Sequence, residues 1–179
     1  MSEEKIPTAL ADCILQDQAG ADVRLGDVWK DKPTILAFVR HFGCVFCREQ
    51  VTQLNREKEK IEGVGGQLVV VGSGTPNFVQ GFREQTGFEG TVLCDPKVAS
   101  YKQAGMKRGF FTVINPVVAA RGLASMARGF RQGRTQGDAY QEGGVLVVRP
   151  PDQLVYKQIS ESAGDHPPAA EVIAALSAA

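Results

Sequence analysis

The segment Thr34 to Arg48, TILAFVRHFGCVFCR, constrains this chain more than any other. Ile35 to Val39 is an unbroken apolar run between Pro33 and Gly43, and such a run reads as a strand covered on both faces. The chain then delivers Cys44 and Cys47 into a turn, and helical composition follows as far as Ile61. Strand, C-x-x-C and helix start together make a cysteine reactive, because the first helical turn offers unpaired N–H groups and partial positive charge to a thiolate. An ordinary thiol of pKa ~8.5 is only about 3% thiolate at neutral pH, and lowering it by roughly two units raises that to about three-quarters. Arg40, His41 and Arg48 lie close enough in sequence to push the same way.

Composition limits what such a motif does here. A chain of 179 residues with 43% apolar content can bury a sizeable core, so its four cysteines are not needed as staples. Twenty basic residues balance twenty acidic ones, which gives no global attraction to nucleic acid or anionic membrane. No apolar run approaches the ~20 residues of a spanning helix. The start, MSEEKIPTAL, lacks the basic-then-apolar order of a secretory signal. A cytoplasmic, reducing location is therefore expected, where cysteines serve chemistry.

Residues 1–8 read as a flexible N-terminus, followed by a single domain over 9–179. Cys13–Leu15 and Val23–Leu25 form a hairpin with Gly20 in its turn, and Leu25–Trp29 a short helical turn with Trp29 in or near the core. Cys13 reads as an inert thiol. A helix over about 44–62 precedes a buried strand, Gln67–Val71, and a glycine-rich loop. That loop lacks the third glycine of a dinucleotide fingerprint, where Asn77 stands, and reads as a strand-to-helix turn with Thr75 or Asn77 capping a helix over Phe78–Thr86. Thr91–Cys94 is a further strand, and Asp95-Pro96 starts a helix over Lys97–Ala104. Alternating strands and helices call for a central sheet covered on both faces.

Residues 105–140 break this rhythm as an insertion. Lys107, Arg108, Arg121, Arg128, Arg131 and Arg134 face one acid, Asp138, and Pro116–Phe130 has helical character, with Phe110, Phe111, Leu123, Met126 and Phe130 as apolar contacts. Arg121 and Arg128, seven apart, share a face and are candidates for the wall of a pocket taking an anionic or amphiphilic substrate. Solvated arginines on an insertion helix, or a weak membrane-surface contact, are the other readings. Gly143–Val148 and Leu154–Ile159 close the sheet as an antiparallel hairpin, and Pro167-Pro168 opens a final helix to Ala179. His166 reads as a surface histidine.

Taken together, the hairpin, the strand bearing C-x-x-C, Leu93-Cys94-Asp95-Pro96 and the closing hairpin resemble the thioredoxin-like superfamily, in its peroxiredoxin branch of alkyl hydroperoxide reductase and thiol-specific antioxidant type. Phe38 to Glu49, and Gln132 to Asp138 followed by Gly143-Gly144-Val145, resemble the peroxiredoxin-like 2 group, whose bacterial members include selenocysteine forms. The resemblance implies an α/β fold: a central mixed sheet flanked by helices, with an N-terminal hairpin and a helical insertion near 105–140. It departs from the peroxiredoxin pattern P-x-x-x-T/S-x-x-C. With Cys47 at the peroxidatic position, Cys44 replaces the Thr or Ser and Arg40 the Pro, and the Arg expected before the closing strand gives way to Gln141, Glu142 and Gly143. The cis-Pro of a thioredoxin is missing there too.

The implied chemistry is a dithiol that cycles through a disulfide. One thiolate attacks, giving a sulfenic acid from a peroxide or a mixed disulfide from a protein partner, and the second cysteine resolves the adduct. Cys44 and Cys47 are the catalytic candidates; the thioredoxin precedent favours an exposed Cys44 as attacker, the peroxiredoxin precedent Cys47. Arg40, His41 and Arg48 are the supporting candidates, and Cys94 an alternative resolving residue. The resemblance further implies no bound cofactor, a peroxide or endoperoxide substrate, electrons from thioredoxin or glutathione, and a homodimer as a candidate assembly, with neither nucleic acid nor a stable membrane contact. A protein disulfide reductase and a non-catalytic redox sensor are the alternatives. Zinc is disfavoured because no second cysteine or histidine pair completes four ligands.

Overall fold

The computed structural model describes residues 4–109 and 116–178. The chain opens with α1 (Thr8–Ala11), the hairpin strands β1 (Ile14–Gln16) and β2 (Asp22–Arg24), and a 3-10 turn over Leu25–Trp29. The reactive segment follows as β3 (Thr34–Val39), α2 (Val45–Arg56) and α3 (Lys58–Gly63), leading to β4 (Gln67–Gly72). After α4 (Val79–Thr86), β5 (Thr91–Cys94) and α5 (Ala99–Gln103) come α6 (Pro116–Ala127) in the insertion, β6 (Gly144–Arg149), β7 (Gln153–Ile159) and α7 (Ala169–Ser177). The seven strands make one mixed sheet in the order β2-β1-β5-β4-β3-β6-β7. Strand β3 is interior, parallel to β4 with Phe38 opposite Val71, and antiparallel to β6 with Ala37 opposite Val145.

Every residue of β3 is buried, as an unbroken apolar run requires of a strand covered on both sides. Period-two alternation divides the run: Ile35, Ala37 and Val39 join the core with Val51 and Leu54 of α2 and Val172 and Leu176 of α7. Leu36 and Phe38 join Leu10, Trp29 and Tyr101 on the other face. Tyr101 donates its hydroxyl to the Val39 and Val71 carbonyls, fastening α5 to the ends of β3 and β4 where the site begins. Trp29 is fully buried and donates Nε1–H to Asp152 at 3.0 Å.

Four expectations need correction. The N-terminus is docked from residue 4: Lys5 bridges Gln153, Ile6 N–H bonds the Asp152 carbonyl at 2.9 Å, and the Ile6 side chain is buried. The helix expected over 44–62 is two, since Glu57 leaves helical geometry and bonds back to Leu54. The helix expected from Lys97 starts at Ala99, because Val98 takes a left-handed φ of 50° and the Asp95 carboxylate accepts both the Ser100 N–H, at 2.7 Å, and its hydroxyl. Finally, neither Thr75 nor Asn77 caps α4: the chain passes through a 3-10 turn over Pro76–Phe78, and Phe78 is the residue preceding the helix. Phe110 and Phe111, expected to supply apolar contacts, lie outside the described residues. Among the described residues no helix is long and apolar enough to cross a membrane.

Candidate active site

Strand β3 ends at Val39, and the chain turns through Arg40 to Gly43 before entering α2. Cys44 is the N-cap of α2, with extended backbone (φ −71°, ψ 123°) and its carbonyl accepting the Arg48 N–H at 3.1 Å. Its side chain makes no capping hydrogen bond to the first turn. The Val45 N–H goes instead to Gln132 Oε1 at 3.0 Å. One orphan amide at this helix start is thus met by a glutamine from a distant loop.

Cys47 lies one turn in. Its sulfur accepts the Arg40 backbone N–H at 3.3 Å, and its own thiol donates to Cys44. That bond from Cys47 is the largest influence holding the Cys44 thiol down to about 7, ahead of the Arg40 guanidinium and the helix amides and against the opposing effect of burial. Burial and the same thiol–thiol bond push Cys47 well above its ordinary range. Cys44 is therefore the first of the pair to ionise, and the last proton stays with Cys47.

Both sulfurs are buried, at 1% exposure for Cys44 and 6% for Cys47, so the exposed Cys44 of the thioredoxin precedent is not found. A strap over residues 131–138 covers Cys44. Gly133 N–H bonds the Gly43 carbonyl at 2.9 Å, and Arg48 donates to the Arg131 and Phe42 carbonyls at 3.0 and 3.1 Å. Asp138 N–H bonds Ser73 Oγ at 3.0 Å. A Cβ on Gly43 would fall 1.9 Å from the Arg134 carbonyl oxygen, so only glycine lets the strap lie this close.

The three supporting candidates occupy different positions. Arg40 approaches the thiols, with Nη1 3.9 Å from Cys44 Sγ. The rest of its guanidinium reaches the stretch where a peroxiredoxin arginine was expected, donating to the carbonyls of Gln141 (3.2 Å) and Ala139 (2.6 Å). A buried cation thus arrives from the end of β3 rather than the start of β6. Beside it the carboxylate of Glu142, fully buried, lies 3.4 Å from Nε. Arg48 serves the strap. His41 accepts N–H bonds at Nδ1 from Gly43 (3.2 Å) and Gln136 (3.4 Å), which leaves its proton on Nε2. Burial first, then the charges of Arg40 and Arg48, lowers its pKa to about 4, so it is neutral near pH 7 and adds no positive charge to the thiols.

Arg121 and Arg128 line one cavity of about 490 Å³, together with Phe46, Glu49 and His166. Arg128 is committed to Glu49, to which Nη2 donates at 3.0 Å, and Ser125 Oγ completes that cluster. Arg121 donates to Ser162 Oγ at 3.1 Å and the Ala163 carbonyl at 3.5 Å. His166, read as a surface residue, is half-buried in this wall, and burial lowers its pKa. Cys94 is buried at a strand end opposite Gln16, its thiol pushed up to about 12 chiefly by burial; Cys13 is partly exposed and bonds the Ala9 carbonyl.

Gln132, Ser73 and Glu142 were missed as members of this site. An acid opening the apolar run of β6 was the available signal for Glu142. Ser73 carries none, and Gln132 only its place in the family-like stretch Gln132 to Asp138, because their roles depend on contacts 65 and 87 residues away.

The fold and the paired thiols define a thioredoxin-like protein of peroxiredoxin type. It resembles peroxidoxin BcpB from Mycobacterium tuberculosis over 97% of both chains, with a TM-score of 0.70 and 20% identity. The chain belongs to the AhpC/TSA antioxidant enzyme family, whose model matches residues 53–162. It is 34% identical over 171 residues to the thioredoxin-like protein AAED1, chloroplastic, of Arabidopsis thaliana, covering 90% of this chain and 69% of that one. It is 31% identical over 171 residues to a prostamide/prostaglandin F synthase of Salmo salar, covering 91% and 84% respectively. The family-model match begins after Cys47, so the roles of the two cysteines rest on geometry.

Proposed function

We propose that this protein reduces peroxides by cycling Cys44 and Cys47 between dithiol and disulfide, with thioredoxin or glutathione returning the electrons and no bound cofactor. The observation that carries the reading is the pair of buried sulfurs at a helix start, with a buried guanidinium 3.9 Å from Cys44 Sγ. A narrow chamber of about 20 Å³, walled by Arg40, Phe46, Gly164 and His166, ends on Cys47, whereas the strap covers Cys44. Cys47 is accordingly the sulfur that meets the oxidant, and Cys44 is its base.

In this mechanism Cys44 takes the Cys47 proton as the Cys47 sulfur attacks the terminal peroxide oxygen. The S–O bond forms, the O–O bond breaks, and the alkoxide leaving group recovers that proton from Cys44. Arg40 stabilises the departing oxygen. The regenerated Cys44 thiolate then attacks the Cys47 sulfenic acid, forming the disulfide and expelling hydroxide. Two electrons pass from the dithiol to the peroxide, and one thioredoxin dithiol or two glutathione thiols restore them.

The test is peroxide consumption coupled to a thioredoxin system. The wild type is expected to turn over, and Cys44→Ser and Cys47→Ser to lose at least 95% of the rate, roughly the uncatalysed level for a free thiol. Turnover by both variants would refute the cycle, and reduction of insulin disulfides without peroxide consumption would point to a protein disulfide reductase.

A further inference from the structure

The outward side of α6 is apolar where a surface helix ordinarily carries charge. Its inward side is well occupied. Val118 and Ser125 are buried, Gly122 is half-buried, and Arg121, the single charged residue of the helix, turns to Ser162 and Ala163. On the outward side Pro116, Ala120, Leu123 and Ala127 follow one another at helical spacing, flanked by Val117 and Met126, and all of them are exposed. Val117 is 57%, Leu123 70% and Met126 55% exposed. They are three of the seven large apolar side chains exposed among the described residues, so α6 carries a patch rather than scattered exposure.

Positive charge adjoins the patch. Lys107, Arg108 and Arg128 are neutralised by Glu161, Asp138 and Glu49 respectively. Arg131 and Arg134 are exposed on the strap that leaves the end of α6, and they make no ion pair among the described residues. Twenty acids balance twenty bases over the whole chain, so this surplus is local.

Size and chemistry together select what covers such a face. Twelve residues at a rise of about 1.5 Å present roughly 18 Å by 10 Å, or about 200 Å². A stable protein interface takes about 800 Å² from each partner and a hydrogen bond for every ~100–200 Å². The outward side of α6 falls well short of that area, and its side chains offer neither donor nor acceptor. A bilayer asks for neither: apolar side chains enter its interface, and guanidinium groups meet lipid phosphates.

We propose that the outward side of α6, with Arg131 and Arg134, is a reversible docking surface for an anionic lipid bilayer. The proposal goes beyond the peroxidase reading, and neither depends on the other.

Flotation of the full chain is measured with vesicles of phosphatidylcholine alone and of phosphatidylcholine with about two-fifths phosphatidylserine. A basic residue at an anionic surface contributes about 1 kcal/mol, a factor of about five, so two should favour the anionic vesicles about 25-fold at low salt. Arg131→Gln/Arg134→Gln should abolish that preference, and so should raised salt. Leu123→Ser/Met126→Ser should weaken binding to anionic vesicles at least about tenfold, because two apolar side chains no longer enter the interface. Hydrogen exchange over residues 116–127 should slow when anionic vesicles are added to the wild type, with circular dichroism confirming the fold of each variant. Absence of flotation by the wild type, or flotation unchanged in Leu123→Ser/Met126→Ser, would overturn the proposal. Self-association in sedimentation that this variant loses, without vesicle binding by the wild type, would assign the face to a second copy and overturn it as well.

Discussion

The acidity of Cys44 depends on Arg40, and removing that guanidinium without stranding its buried partner gives a direct measure of the dependence. The double variant Arg40→Met/Glu142→Gln neutralises both members of the pair, whereas Arg40→Met alone leaves a buried carboxylate without its cation. At the 3.9 Å separation of Nη1 and Sγ, a guanidinium attracts a thiolate by about 4 kcal/mol at an effective dielectric near 20, equivalent to roughly three pKa units. Glu142, 3.4 Å from Nε, repels the same thiolate, so removing both charges cancels part of this. A net rise of about one to two units is expected from these opposing contributions. Starting from a pKa near 7, where half the population is thiolate at neutral pH, that rise leaves about 1–10%. The assay is thiolate absorbance near 240 nm against pH, with alkylation of Cys44 followed by mass spectrometry. Alkylation at pH 7 should slow about five- to fiftyfold, in line with the thiolate fraction. An inflection at Cys44 that stays within a few tenths of a unit would refute the role assigned to Arg40.

Three further outcomes follow from individual contacts. His41, with its pKa lowered to about 4, should show no titration of its ring protons by NMR between pH 5.5 and 8. Its folded value lies below the unfolded one, so the stability it contributes is complete above pH ~6.5 and is lost as pH falls towards 4, which acid titration of the unfolding transition should reveal. Tyr101→Phe removes a buried hydroxyl serving two carbonyls and should cost about 1–2 kcal/mol in urea unfolding. Gly43→Ala forces the strap off the turn, so Cys44 alkylation in the folded state should accelerate at least severalfold, read by mass spectrometry with the fold checked by circular dichroism.

Much of the architecture was legible because local signals agreed with tertiary demands. The apolar run of β3 and the C-x-x-C turn announced a buried strand feeding a helix, and Gly143 to Val148 marked the partner strand. Boundaries slipped where a side chain overrode propensity, as when Asp95 captured Ser100 and delayed α5. The site was legible only in part. Arg40 reaches the Gln141 carbonyl across 101 residues of sequence, and nothing local distinguishes it from Arg48, which turns to the strap. Sequence likewise treats Arg121 and Arg128 alike, and only the packing of α6 on α2 gives Glu49 to one of them. The charge on His41 was misjudged for a similar reason, since the burial that lowers its pKa, ahead of the Arg40 and Arg48 charges, comes from tertiary packing.

The account rests on Cys47 meeting the oxidant while Cys44 holds the negative charge and resolves. Trapping with a sulfenic-acid probe under limiting peroxide, read by mass spectrometry of Cys44→Ser and Cys47→Ser, tests this most directly. Labelled Cys47 should accumulate in Cys44→Ser, more slowly than the wild-type pair is oxidised because the base is gone, while Cys44 in Cys47→Ser remains reduced on the same timescale. Rapid labelling of Cys44 with an inert Cys47 would contradict it.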